Sequence, residues 1–274
     1  MRVLVSGANG YLGRHVVRYM ESLGHSVFRY LREGQSHRNG VYSSDTPFYH
    51  SFDLVVNCAR PHWSEYSPHD IALIEQETLV ILNKFCKAEG VKIHTSGVWL
   101  FGHANEQELK ESILKPFDIV KPDKKTIEQA RDVGWKIVYC PSLIYGGEHC
   151  QLKRIIRDYE SGQVNIAMPS TGFNQYAHVQ DIAEFYGELA FLECDDSDIF
   201  VAEEQGYSPL EYALMLKQRG VVLEIIECNR TEFQKQFGQD ALDIEHLNLK
   251  LPIHQSFIPK HRLRDYISNE LVLE

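Results

Sequence analysis

The stretch Gly7-Ala8-Asn9-Gly10-Tyr11-Leu12-Gly13 limits what this chain can fold into more than any other part of it. It follows a short apolar run, Val3-Leu4-Val5, and precedes a segment that places Leu12, Val16, Val17, Met20 and Leu23 on one helical face. That order predicts a buried strand, a tight turn and a helix. Gly7 allows the turn, Gly10 lets another backbone come close, and Gly13 lets the helix pack tightly on the sheet. With Asn9, Tyr11 and Leu12 the turn presents main-chain N–H groups at a helix N-terminus, where negative charge is favoured. A dinucleotide pyrophosphate suits such a turn, whereas a turn that only packs is the plainer alternative.

Gly24 stops the helix, and His25 to Leu31 reads as a second strand, which begins a βαβ unit. Asp53-Leu54-Val55-Val56-Asn57-Cys58-Ala59 is nearly continuous apolar sequence, as in a parallel strand covered on both faces. Ser67-Pro68 then supplies an N-cap and a first-turn proline for a helix carrying Ile71, Ile74, Ile81, Leu82 and Phe85, closed by Gly90. Strands at Val91 to Thr95 and Lys136 to Cys140 flank a helix near 123–133. This alternation predicts an α/β fold with a doubly wound parallel sheet. Beyond Pro141 the rhythm changes to short elements and Gly-, Pro- and Ser-rich loops, with a helix at 179–192 and a strand near Ile199 to Val201. Ser208-Pro209-Leu210-Glu211 is a capping box that announces a further helix.

At 274 residues the chain can bury a sizeable core without staples. Its 28 basic and 38 acidic side chains give a formal charge of −10, which would repel a phosphate backbone, so nucleic acid is excluded as a partner. The six cysteines (Cys58, Cys86, Cys140, Cys150, Cys194 and Cys228) lack Cys-x-x-Cys or His-pair spacing; they read as reduced and structural, and no metal site is expected. No leader and no membrane-length apolar run stand in the sequence, which predicts a cytoplasmic protein without a membrane partner.

An acid at the end of the second strand would hold the adenosine 2′-hydroxyl of NAD. Here that end is Phe28-Arg29-Tyr30-Leu31-Arg32, with no carboxylate before Glu33. Arg32 suits a 2′-phosphate, with Arg29 as a weaker helper, so NADP is expected over NAD; two merely solvated arginines are the alternative.

The glycine turn, the Asp53–Ala59 run, Thr95-Ser96-Gly97-Val98-Trp99-Leu100-Phe101-Gly102, Pro141-Ser142-Leu143-Ile144-Tyr145-Gly146 and Ala177-His178-Val179-Gln180-Asp181 occur in that order. Over about residues 1 to 205 the chain thereby resembles the extended short-chain dehydrogenase/reductase family, and within it the NAD-dependent epimerase/dehydratase branch. The resemblance implies a Rossmann-type doubly wound parallel sheet with a smaller C-terminal α+β substrate lobe. The NAD(P)-binding domain would span 1–145, rejoined by about 174–202, and the lobe would comprise 146–173 and 203–274. It also implies a small-molecule substrate, often a nucleotide sugar, and a homodimer formed through the helices near 69–89 and 122–134.

The family's proton chemistry uses a tyrosine whose acidity a nearby lysine raises, with a Ser or Thr steadying the substrate oxygen. By position the lysine falls on Lys124, but the tyrosine falls on Val120, the Ser/Thr on Gly97 and a helix asparagine on Glu75. Ser96, one residue from Gly97, and Tyr145, in the loop after Cys140, are the substitute candidates beside Lys124, with His94, His103 and His149 as weaker ones. Lys124 and Glu128 also have the i,i+4 spacing of an ordinary surface pair. Further cofactor contacts are expected from Asp45, Cys58, Ala59, Arg60, Thr95 and Lys124; a turn-forming Asp45 is the alternative there, and His178 reads as structural. Trp63 is placed to cover the site. Two functions follow: an atypical NADP(H)-linked oxidoreductase or epimerase acting on a small polar metabolite, and a non-catalytic dinucleotide-binding sensor or scaffold. A flavin or other nucleotide on the same turn is a third, weaker reading.

Overall fold

A computed structural model describes residues 1–32, 34–193 and 196–272, so Glu33 and Cys194, both considered above, lie outside the described residues. The strands Arg2–Ser6 (β1), Ser26–Tyr30 (β2), Gly40–Val41 (β3), Phe52–Asn57 (β4), Cys86–Gly97 (β5) and Lys136–Cys140 (β6) join Asp198–Phe200 in one seven-stranded sheet. Its order is Asp198–Phe200, β6, β5, β4, β1, β2, β3, and the fold is the Rossmann-type parallel α/β sheet. β1 is paired in parallel on both sides, Val3 opposite Val27 and Leu54, and its Val3, Leu4 and Val5 are wholly buried. A strand covered on both faces must be apolar throughout, hence the absence of alternation.

The chain divides into two compact units, the first comprising Met1–Ser96, Pro122–Tyr139 and Ile182–Ile199. In it the helix Tyr11–Ser22 (α1) buries Leu12, Val16, Val17 and Met20; Leu23, the last residue of the predicted stripe, is its C-cap and half exposed. The helix Pro68–Asn83 (α2) begins at Ser67, whose hydroxyl accepts from the Asp70 N–H. Such a cap stabilises a helix by about 1 kcal/mol.

Gly90 does not close α2, which ends at Asn83. Aromatic packing makes the earlier exit favourable. Phe85 is fully buried against Phe52, Tyr49 and Tyr30, and its carbonyl accepts from Ser51 and Phe52, so the chain enters the sheet edge at Cys86. The register then jumps from Phe52–Cys86 to Leu54–Val91.

The second unit comprises Gly97–Lys121, Cys140–Asp181 and Phe200–Glu274; Gly97–Lys121 thus cluster with the C-terminal segments. Its strands pair two by two: Ile144–Tyr145 with Ala177–His178, Asn174–Gln175 with Gly206–Tyr207, and Gln163–Met168 with Glu224–Asn229. Its core gathers Tyr145, Cys150, Leu152, Tyr176, Leu216 and Leu263. The capping box opens the helix Pro209–Gln218 as expected, with Ser208 and Glu211 bonded reciprocally. Buried Gln175 satisfies its whole amide, donating to the Glu203 and Glu204 carbonyls and accepting from the Leu251 N–H. An unpaired amide there would cost several kcal/mol.

Among the described residues no helix is long and apolar enough to cross a membrane. Among the described residues, Cys58, Cys86, Cys140, Cys150 and Cys228 are not joined in disulfides.

Candidate functional site

The glycine turn is built by contacts that exclude side chains. Gly7 has φ of +71°, and a Cβ on it would lie 2.6 Å from the Ala59 nitrogen and 2.7 Å from the Cys58 carbonyl oxygen. A Cβ on Gly13 would lie 2.2 Å from the Gly7 oxygen. The turn closes through the Gly10 N–H donating to the Gly7 carbonyl at 2.8 Å, and Gly10 caps α1 without any side chain on the helix N-terminus. Leu12 and Gly13 are buried behind the turn, while Tyr11 packs edge-on against His15.

In front of the turn is a cavity of about 400 Å³ within the first unit. One wall carries Gly7, Asn9 and Gly10; another carries Tyr30, Leu31, Arg32 and Gln35 from the end of β2. Cys58, Ala59 and Arg60 follow β4, and Ile74, Thr78 and Ile81 form an i, i+4, i+7 stripe along α2. The rim is basic: Arg14 donates to the Asn9 and Gly10 carbonyls, and Arg29 reaches the Asn9 side chain. Of the expected cofactor contacts, Asn9, Gly7, Gly10, Arg32, Cys58, Ala59 and Arg60 lie on this wall.

Sequence reasoning missed Gln35 and the α2 stripe, although Ile74 and Ile81 are legible as helical spacing. It also missed Arg14, whose position one turn into α1 carries no separate signal.

Six expected contacts lie off this wall: Tyr11, Leu12 and Gly13 at or behind the turn, and Asp45, Thr95 and Lys124 elsewhere. Asp45 accepts from the Tyr42 N–H at 2.8 Å, and its own N–H bonds the Tyr42 carbonyl, so it forms a turn, as short acidic side chains do after a strand. The Thr95 hydroxyl bonds Tyr186 at 2.8 Å and faces the Cys58 sulfur at 3.5 Å, off the cavity wall. Lys124 is half exposed, with its ammonium 3.9 Å from Glu128, the i,i+4 surface pair and not a buried anchor. The helix Asp123–Asp132 turns its first residue, Asp123, inward instead.

The substitute proton donors fare similarly. Tyr145 is fully buried in the aromatic cluster of the second unit, against His178 and Tyr266, and its hydroxyl has no partner. Burial, followed by the nearby Glu203 and Asp181 charges, pushes its phenol far above the ordinary value, which disfavours its ionised form. Position after a strand end suggested exposure; the apolar packing of the strand Ile144–Tyr145 decided otherwise. His94 is buried in β5, and burial lowers its pKa to about 3. Its Nδ1 faces the Asn57 amide at 3.2 Å, and the Asn57 oxygen accepts from the Ala59 N–H, so His94 braces the cavity wall as a neutral ring. His103, largely exposed, faces Asp243 at 3.9 Å in the second unit. Ser96 is half-buried, and Val120 is buried in the turn Asp118–Val120.

A largely buried polar cluster of the first unit surrounds Arg60. Its guanidinium donates to Glu75 at 3.1 Å and to Asp123 at 2.6 Å and lies over the Trp63 ring at 4.7 Å. Both carboxylates are almost fully buried, and burial pushes Glu75 up to about 7 and raises Asp123, against the pull of Arg60.

In the second unit, His178, Asp181 and His261 bring ligand-type atoms within 4.8 Å of one another. The two imidazoles stack at 3.8 Å and 19°, so no cation could lie in both ring planes, and Asp181 is already bonded to His261 and to the Lys260 and His261 N–H groups. This is a structural pin for the 260–263 segment, in line with the structural reading of His178.

The sheet order, the glycine turn after β1 and the cavity at the strand ends define an α/β protein of Rossmann type. The chain belongs to the NAD dependent epimerase/dehydratase family, whose model matches residues 3–190. No curated protein sequence matches it. Among solved structures, the human epimerase family protein SDR39U1 (isoform 2), determined with NADPH, is 17% identical with a TM-score of 0.72, covering 92% of this chain and 90% of that one. UDP-glucose 4-epimerase from Thermotoga maritima, determined with UDP-glucose, is 18% identical with a TM-score of 0.71, covering 98% and 96%. RMD from Pseudomonas aeruginosa, complexed with NADPH, is 14% identical with a TM-score of 0.62, covering 97% and 96%. At such identities the likeness establishes the fold.

Proposed function

We propose that this chain binds a nicotinamide dinucleotide, NADP(H) in preference to NAD(H), as an atypical oxidoreductase or epimerase acting on a small polar metabolite such as a sugar nucleotide. The observation that carries this reading is the cavity in front of the Gly7–Gly13 turn, with Arg32 on its wall at the end of β2. The group fits the residues present: Gly7 and Gly13 let the turn close where any Cβ would strike backbone, and α1 offers an N-terminus free of a side-chain cap. Gly7, Asn9 and Gly10 would hold the pyrophosphate, Arg32 the 2′-phosphate, and Ile74, Thr78 and Ile81 would flank the cavity along α2. Bound there, the nicotinamide would supply hydride transfer. Structurally similar proteins determined with NADPH or with NAD support a nicotinamide dinucleotide here, and the preference for NADP(H) rests on Arg32; the UDP-glucose complexes of two such proteins support the substrate class.

Titration of the protein with NADPH, NADP, NADH and NAD, followed by nicotinamide fluorescence and calorimetry in wild type and Arg32→Ala, tests the reading. Binding of NADPH that weakens selectively in the variant supports it. Failure of all four to bind refutes it.

A second reading, a dinucleotide-binding sensor or scaffold without turnover, is favoured by one specific set of observations. Val120 occupies the tyrosine position, Lys124 points to solvent beside Glu128, and Tyr145 is buried. Loss of reduced-nicotinamide absorbance on adding a panel of UDP- and GDP-sugars, with a retained ligand product, would decide for the enzyme.

A further inference from the structure

The Arg60 cluster carries a charge imbalance that the cofactor reading leaves unused. One guanidinium, on the cavity wall, faces two carboxylates, Glu75 from α2 and Asp123 from the helix Asp123–Asp132. Glu75 and Asp123 are 3% and 4% exposed, so water screens neither. One oxygen of Asp123, Oδ1, is buried with no hydrogen-bond partner at all. A buried carboxylate with an unpaired oxygen is costly in its charged form, whereas protonation removes the charge that lacks compensation.

The remaining neighbours do not supply a second positive charge. From β5, His94 is buried and held neutral; burial lowers its pKa first, and the charge of Arg60 lowers it further. From α2, Gln76 bonds the Thr126 hydroxyl, a neutral bridge, and Glu77 adds another acid to the cavity wall. Trp63 covers Arg60 from its own loop. Lys124, next to Asp123 in sequence, turns outward to Glu128. With both carboxylates ionised, the Arg60, Glu75 and Asp123 triad therefore carries one net negative charge beside the cavity, where a ligand bearing phosphates would meet repulsion. A single proton on the pair removes it and leaves Arg60 gripped by one carboxylate and one neutral acid.

We propose that Glu75 and Asp123 are positioning residues that present Arg60 to the dinucleotide, and that the pair takes up a proton when the dinucleotide binds. The proposal rests on the cofactor reading above. The proton comes from solvent through the buffer, and no bond other than the carboxyl O–H is made. Burial already pushes Glu75 up to about 7, which places the linkage in a measurable range. Arriving phosphates raise the pair's proton affinity further, so affinity for the dinucleotide falls as pH rises above neutrality.

The test is calorimetric titration of the full chain with NADPH and with NADH at pH 8, in Tris and in HEPES, whose ionisation enthalpies differ. The apparent binding enthalpies should differ between buffers by an amount corresponding to uptake of a large fraction of a proton. Between pH 7.5 and 9 the dissociation constant should rise severalfold per pH unit, towards the tenfold limit of one linked proton. NADH lacks the 2′-phosphate and NADPH carries it fully ionised in this range, so agreement between them assigns the proton to the protein. Glu75→Gln and Asp123→Asn should each flatten the pH profile and abolish the buffer dependence while dinucleotide still binds. Should both variants fail to fold, the wild-type buffer comparison decides alone. Binding with equal enthalpy in both buffers would overturn the proposal and leave a plain structural ion triad. Absence of any dinucleotide binding would overturn the cofactor reading itself, and the proposal with it.

Discussion

Replacing Gly7 by alanine should be strongly destabilising. Two costs combine. The residue sits at φ of +71°, where an L side chain costs about 1–2 kcal/mol. Its Cβ would also lie 2.6 Å from the Ala59 nitrogen and 2.7 Å from the Cys58 carbonyl, so backbone after β4 must shift, at a further ~1–3 kcal/mol for overpacking. Gly24 isolates the first cost: its φ is +76°, and a Cβ there meets nothing within 4 Å. Alanine's lower unfolded-state entropy returns about 0.4–1 kcal/mol at either position. Gly24→Ala should therefore lose about 1 kcal/mol, and Gly7→Ala about 2 kcal/mol more. In a chain of this size that difference is roughly 4–8 °C in the melting midpoint. Thermal melts followed by circular dichroism, paired with NADPH titration, check both parts: Gly24→Ala should bind NADPH like wild type, and Gly7→Ala should not bind. Equal melting losses for the two variants would show that the Cys58–Ala59 backbone yields freely and that the close-approach argument is wrong.

Arg32→Ala should weaken NADPH by about tenfold to a hundredfold, the worth of a charge-assisted phosphate contact, and change NADH affinity little; fluorescence titration reads both. Tyr145→Phe should leave stability unchanged or raise it by up to ~1 kcal/mol in a urea melt, because the hydroxyl it removes is buried without a partner. Lys124→Ala should cost no more than about 0.5 kcal/mol and leave NADPH affinity unaltered, as befits an exposed helix pair; a large loss of binding would return Lys124 to the cofactor. For Glu75, burial raises the folded-state value from 4.5 to about 7, so the folded state binds more protons than the unfolded one within that window. Wild-type stability should then fall as pH rises from about 4.5 to about 7, with Glu75 contributing on the order of 3 kcal/mol, and Glu75→Gln should lack that part of the slope in pH-resolved denaturation.

Local rules were strong wherever one short stretch fixes its own geometry. The sequence by itself determined the strand–turn–helix at Gly7–Gly13, the caps at Ser67 and Ser208, and the parallel sheet, because glycine stereochemistry, capping bonds and unbroken apolar runs act over a few residues. It also showed that the tyrosine position is valine and that Arg29 and Arg32, not an acid, flank the end of β2. Tertiary structure alone decided where side chains point. Tyr145, Thr95 and Lys124 had the right residue types near the expected edge, yet one is sealed in an aromatic core, one is bonded to Tyr186 and one faces solvent. Phe85, drawn into an aromatic cluster, moved the end of α2 that Gly90 had marked. Arg60, Glu75 and Asp123 come from three separate segments, and nothing in their spacing signals that they meet. Their burial, and hence their shared proton, is created only when α2 and the helix Asp123–Asp132 exclude water from the space between them.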